Sequence, residues 1–161
     1  MTQAPAKLDT YEADFQLTRT ERAASSPAWL TELGDQAWSS FSQLGFPTAR
    51  RGNERWKYTN VAPVARAGFR LSRGLTPDID SRLISEVDGS WTRLVFVDGR
   101  FSKALSAVNS TSSGALVANL GDAINSGASN VEQYMAKHAD FQDDGFTALN
   151  TAFLNDGAFV Y

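Results

Sequence analysis

The feature that most restricts this chain runs from Trp29 to Leu44, where Trp29, Leu30, Leu33, Ala37, Trp38, Phe41 and Leu44 recur at helical spacing. A stripe of that bulk has to be covered by other parts of the protein, so core packing is the favoured reading over a ligand box or a partner groove. Ser26 is the expected N-cap with Pro27 at the first helical position, and Gly45 closes the helix. Before it, Met1 to Lys7 reads as a frayed tail. Leu8 to Ala24 reads as a first helix using Leu8, Tyr11, Phe15 and Ala23.

Further along, the period changes from helical to strand-like. Residues 93–97 and 100–105 flank Asp98-Gly99, a two-residue hairpin signal, and residues 115–120 are expected to add a strand to that hairpin. Short helices are predicted from Asn60 through Arg66, after the Thr76 cap, from Gly121, over Val131 to Lys137 behind Ser129-Asn130, and over 145–154. The fold class this predicts is α+β: N-terminal helices with a small antiparallel sheet built on the 93–105 hairpin.

Composition limits the chemistry. At 161 residues, 42% hydrophobic and 20% charged, the chain is an ordinary globular sequence that should fold without staples. It has no cysteine, which removes disulfides, thiolate-ligated zinc, cysteine-bound iron-sulfur clusters and cysteine nucleophiles from these residues. His138 is the only histidine and follows Lys137 at a polar helix end; it is expected to face solvent. Asp140, Asp143 and Asp144 lack the spaced ligands of a calcium loop and read as capping and solvated charge. Asp78 and Asp80 read as first-turn acids that complement a helix dipole. No G-x-x-x-x-G-K-[ST] loop and no G-x-S-x-G elbow is present, so a small hydrolase ranks last. The expectation is no enzymatic chemistry, no catalytic or metal residue, and no tight iron-sulfur cluster or zinc on this chain. Without an apolar leader or a run near the roughly 18 apolar residues of a membrane span, the expected address is cytoplasmic.

One segment stands apart in charge. Residues 50–73 carry seven basic groups against Glu54 alone, a net of +6, leaving −9 for the rest of a chain whose total is −3. Arg51, Glu54, Arg55, Trp56, Lys57 and Tyr58 form the candidate interaction surface. Interleaved aromatics and cations suit single-stranded nucleic acid, and a protein or nucleic-acid adaptor using 50–73 is the alternative function. The acidic remainder disfavours nucleic acid. Trp56 and Tyr58 are expected to be structural, packing on the helix of Trp29, Trp38 and Phe41.

At the other end, Asn155-Asp156-Gly157 is a turn and residues 158–161 read as an uncharged strand that stops without a polar tail. The expectation is a fragment of a longer protein in which this strand lacks backbone and ring partners and drives self-association, probed by deleting residues 156–161.

Three runs then resemble one family in order. Glu54 to Thr59 resembles the E-x-W-[KR]-Y-T signature of SufD proteins, subunits of the Suf iron-sulfur cluster assembly scaffold. Leu94 to Ser102 is similar to that family's L-V-F-V-[ND]-G-x-[FY] strand pair, and Phe146 to Tyr161 to its F-x-A-L-N-x-A-F-x-x-D-G-A-x-[IV]-x segment. The related SufB shares a version of the third run but usually lacks the first. The resemblance implies an N-terminal accessory domain over 1–145 and the start of a central right-handed β-helix at 146–161. It also implies SufB and SufC as partners through regions beyond Tyr161, and an iron-sulfur cluster handled by the intact complex rather than here.

Overall fold

A computed structural model describes residues 8–47, 54–72, 79, 84, 89–109, 114–127 and 129–161. Among these the element order is α1 (Leu8–Ser25), α2 (Ala28–Leu44), a 3-10 turn (Glu54–Trp56), α3 (Ala62–Arg66), β1 (Phe96–Val97), β2 (Arg100–Phe101), β3 (Val117–Asn119), α4 (Leu120–Asn125), α5 (Ser129–Tyr134), α6 (Gly145–Ala152) and β4 (Ala158–Val160). This is the expected α+β class. The helix expected after Thr76, with Asp78 and Asp80, lies outside the described residues, as does Arg51. The chain divides into two compact units, residues 1–71 with 132–154 and residues 72–131 with 155–161. The expected boundary at 145/146 coincides with the first turn of α6, which belongs to the first unit.

The first unit is built on the α2 stripe. Ala37 and Phe41 are fully buried together with Phe15 of α1, Phe46, Phe141 and Ala148 and Ala152 of α6. Phe15 stacks on Trp38 at 4.7 Å and 8°, and Phe41 meets Phe46 edge to face at 5.3 Å, geometries that aromatic quadrupoles favour. Small residues let the helices close up. A side chain on Gly145 would overlap the Gly45 carbonyl, so the start of α6 can lie against the end of α2 only with glycine there. Gly45 itself closes α2 at φ 63°, a conformation that a side chain disfavours.

Two details of the helical expectations change. The buried face of α1 is Tyr11, Phe15, Thr18 and Arg22, whereas Ala23 is exposed; steps of four, three and four from Tyr11 reach Arg22, a charge that pattern reading assigns to solvent. Ser26 does not cap α2, because its N–H closes the last turn of α1 on the Arg22 carbonyl at 2.8 Å. Pro27, extended at ψ 148°, takes the cap position with no side-chain hydrogen bond.

Arg22 is the unexpected member of this core. It is 3% exposed, and its guanidinium donates to the carbonyls of Leu30 at 3.4 Å, Ala152 at 2.8 Å and Leu154 at 3.0 Å. It therefore ties α1 to α2 and to the carbonyls that end α6, the end of a helix dipole where a cation belongs. Burial pulls the guanidinium below its ordinary value, and Asp35 opposes that shift. Gly34 makes the space for it.

In the second unit, Asp98 and Gly99 adopt φ 49° and 78°, the left-handed pair of a type I′ turn. The register is Phe96↔Phe101 and Val97↔Arg100. The strands are shorter than the expected 93–97 and 100–105. A turn at 103–105 interrupts the ladder, and the Ser106 hydroxyl, which donates to the Ser102 carbonyl at 2.7 Å, accepts the Val95 N–H at 2.8 Å in its place. Pairing resumes only at the Arg93↔Ala107 bridge. Nor does β3 join the hairpin: it pairs antiparallel with β4, Val117↔Val160, Ala118↔Phe159 and Asn119↔Ala158. Leu116 and Tyr161 continue that ladder with reciprocal 2.9 Å bonds, and the Phe159 and Tyr161 rings stack at 6.4 Å. One edge of residues 158–161 is thus paired within the chain, where the expectation gave the strand no backbone partner.

Asp156 organises this pairing. One oxygen accepts from Gly121 N at 3.0 Å, Gly157 N at 2.9 Å and Asn119 Nδ2 at 3.3 Å, and the other from Phe101 N at 3.1 Å. One carboxylate so joins β2, β3, the first turn of α4 and the start of β4.

Gly34→Ala tests the buried Arg22. Its new methyl group overlaps the guanidinium, so urea unfolding should show a loss of about 1 to 3 kcal/mol, the usual cost of overpacking; an unchanged midpoint would show that Arg22 is not held there.

Candidate functional site

The signature segment begins with a single 3-10 turn over Glu54–Trp56, followed by a bonded turn in which Thr59 N donates to the Trp56 carbonyl at 3.1 Å. Asn60 then accepts the Ala62 N–H at 3.1 Å, although Val61 rather than the expected Asn60 occupies the N-cap of α3. Val61 is buried, and Ala65 packs against the aromatic core. Finally, Leu71 N donates to the Asp14 carboxylate of α1 at 3.1 Å.

Trp56 is the anchor, but not against the expected helix. Its ring lies 5.2 Å from Phe146 of α6 and continues through Phe46, 5.7 Å from Phe146, into the core. Its indole lies near the Asp144 carboxylate, whose charged form it helps to stabilise and which accepts the Thr147 N–H at 2.9 Å and the Thr147 hydroxyl at 3.1 Å. Asp144 is thus the N-cap of α6, the capping role expected of it. Burial by itself raises the Asp144 carboxyl; the Thr147 N–H and hydroxyl, the Trp56 indole and the Phe146 N–H outweigh it and hold the group below the ordinary carboxylate value. Two of the three resembling runs therefore meet where the Trp56 ring packs on Phe146.

Tyr58 behaves differently from the expectation. It is 91% exposed, because the turn after Trp56 points it away from the core that Trp56 enters. Glu54, Arg55 and Lys57 are exposed as well. Lys57 pairs with Glu54 at 3.4 Å and lies 5.4 Å from the centre of the Tyr58 ring. The candidate surface therefore separates into one inward residue, Trp56, and four outward ones. Its described outward residues place a carboxylate, two cations and a phenol in water.

The other candidates keep their modest roles. His138 is exposed and stacks on Tyr134 at 6.4 Å and 13°. Asp140 accepts the Gln142 N–H at 2.8 Å. Among the described residues no group of three or more His, Asp or Glu side chains could hold a metal ion, and no helix is long and apolar enough to cross a membrane. Sequence reasoning missed Asp144 as the partner of Trp56, and Arg22 and Asp156 as organisers. The one available signal was the placement of Asp144 three residues before Thr147 at a helix start.

A family model described as the SufBD protein N-terminal region matches residues 6–161. No curated protein and no solved structure matches the chain.

The joint separates the two aromatics of the signature. Trp56→Ala should cost about 3 kcal/mol in chemical unfolding, chiefly from the lost packing of its ring on Phe146. Tyr58→Ala should stay within about 0.5 kcal/mol of the parent; equal losses at the two positions would contradict this division.

Proposed function

The chain belongs to the SufB/SufD family of iron-sulfur cluster assembly proteins, and from that premise we propose that it is the N-terminal accessory domain of a SufD-type scaffold subunit. Within the family, the SufD assignment is supported by Glu54-Arg55-Trp56-Lys57-Tyr58-Thr59, the run that SufB usually lacks. The observation that carries the proposal is the joint of Trp56 with Asp144 and Phe146, which gives that signature a structural reason to accompany the 146–161 run. On this reading the domain positions and docks, and does no chemistry of its own. Neither an iron-sulfur cluster nor zinc is held on it, since thiolates are lacking throughout the sequence. The cluster is cargo of the assembled cytoplasmic complex, and SufB and SufC are the partners.

Co-expression of the subunit carrying this chain with tagged SufB, SufD and SufC tests the assignment. Retention with SufB and SufC is the expected result. Retention with SufD in place of SufB would reassign it to the SufB branch, and retention with none would remove the scaffold reading.

A further inference from the structure

The residues between Trp56 and Leu71 alternate between anchored and presented. Trp56 packs on Phe146, Val61 and Ala65 are packed inward, and Leu71 N is tied to Asp14. Between these fixings the segment presents Lys57, Tyr58, Arg66, Phe69 and Arg70, with Arg55 just before the first, all exposed. Phe69 is 55% exposed, a large apolar ring left in water beside Arg70. Surfaces fixed in this way before binding lose little conformational freedom when a partner arrives.

The charge of this surface is unbalanced. Glu54 pairs with Lys57, while among the described residues Arg55, Arg66 and Arg70 have no carboxylate partner. The α3 turn keeps the set compact: at about 1.5 Å per helical residue and about 3.4 Å per extended one, Tyr58 and Arg66 are at most about 20 Å apart, and Arg66 and Arg70 at most about 14 Å. That fits one partner's share of a standard interface, about 800 Å². Tyr and Arg are also the residue types that dominate binding energy at such interfaces.

We infer that Arg55, Tyr58, Arg66, Phe69 and Arg70 form a docking surface for an acidic protein segment that carries an apolar anchor. Carboxylates match the forked guanidinium donors, and the anchor covers Phe69 and the free face of Tyr58. Nucleic acid fits less well. Lys57 already lies over the Tyr58 ring, which removes one stacking face, Glu54 places a carboxylate among the cations, and the chain total of −3 repels a polyanion at longer range. The inference builds on the docking role proposed above but names a surface that role leaves unassigned.

The test is fluorescence anisotropy with a labelled peptide in which glutamates flank a Leu-Phe pair, beside an uncharged glutamine version and oligo(dT). Binding of the glutamate peptide that weakens with added salt is expected, with at least about a tenfold loss in Arg66→Glu/Arg70→Glu and in Tyr58→Ala, equivalent to about 1.4 kcal/mol. Melting of these variants should be unchanged, since all three positions are exposed. Absence of glutamate-peptide binding, equal binding of the glutamine peptide, indifference to the substitutions, or tighter binding of oligo(dT) would overturn the inference. Retention of SufB and SufC is scored on the unsubstituted protein. Peptide binding without retention sinks the scaffold reading alone, and retention without peptide binding sinks this one alone.

Discussion

The packing of the Trp56 ring on Phe146, with the indole beside the Asp144 carboxylate, is the constraint on which the surface of the signature segment depends. Asp144 already caps α6 through Thr147, so the same carboxylate sets where the helix starts and where the signature segment is held. Phe146 completes the joint by receiving the Trp56 ring and passing the contact on to Phe46. A helix cap, an aromatic contact and an indole set beside a carboxylate are each modest. Sharing two residues makes them act together.

Presentation follows from anchorage. Once Trp56 enters the core, the turn behind it places Lys57 and Tyr58 outside, and the inward Val61 and Ala65 fix which side of α3 carries Arg66. The exposed residues of the segment are thus a consequence of how its buried ones are held. Arg22 and Asp156 play the same kind of role at other points, one guanidinium gathering three carbonyls in the first unit and one carboxylate gathering four donors in the second.

What was legible in the sequence was what periodicity and turn chemistry encode. The α2 stripe as far as Phe41, the Gly45 stop, the Asp98-Gly99 turn and the Asp144 cap lie where local rules put them, whereas Leu44, counted in the stripe, is 44% exposed. What was not legible depends on partners distant in the chain. The pairing of β3 with β4 joins segments about forty residues apart, and nothing in Val117 to Asn119 distinguishes β4 from the hairpin as a neighbour. Arg22 looks like surface because its compensation comes from backbone carbonyls at 152 and 154, which carry no sequence label. Trp56 and Tyr58 are both aromatic and two apart; only the position of Asp144 and Phe146 decides which turns inward.

The most direct measurement of the central claim is a double-mutant cycle between Trp56→Phe and Asp144→Ala by chemical unfolding. Phe keeps much of the ring against Phe146 and removes the indole donor, while Ala removes the acceptor. The account predicts a coupling of about 1 to 2 kcal/mol, as expected for an indole that stabilises a neighbouring charged carboxylate. Additive losses, with a coupling below about 0.3 kcal/mol, would contradict it.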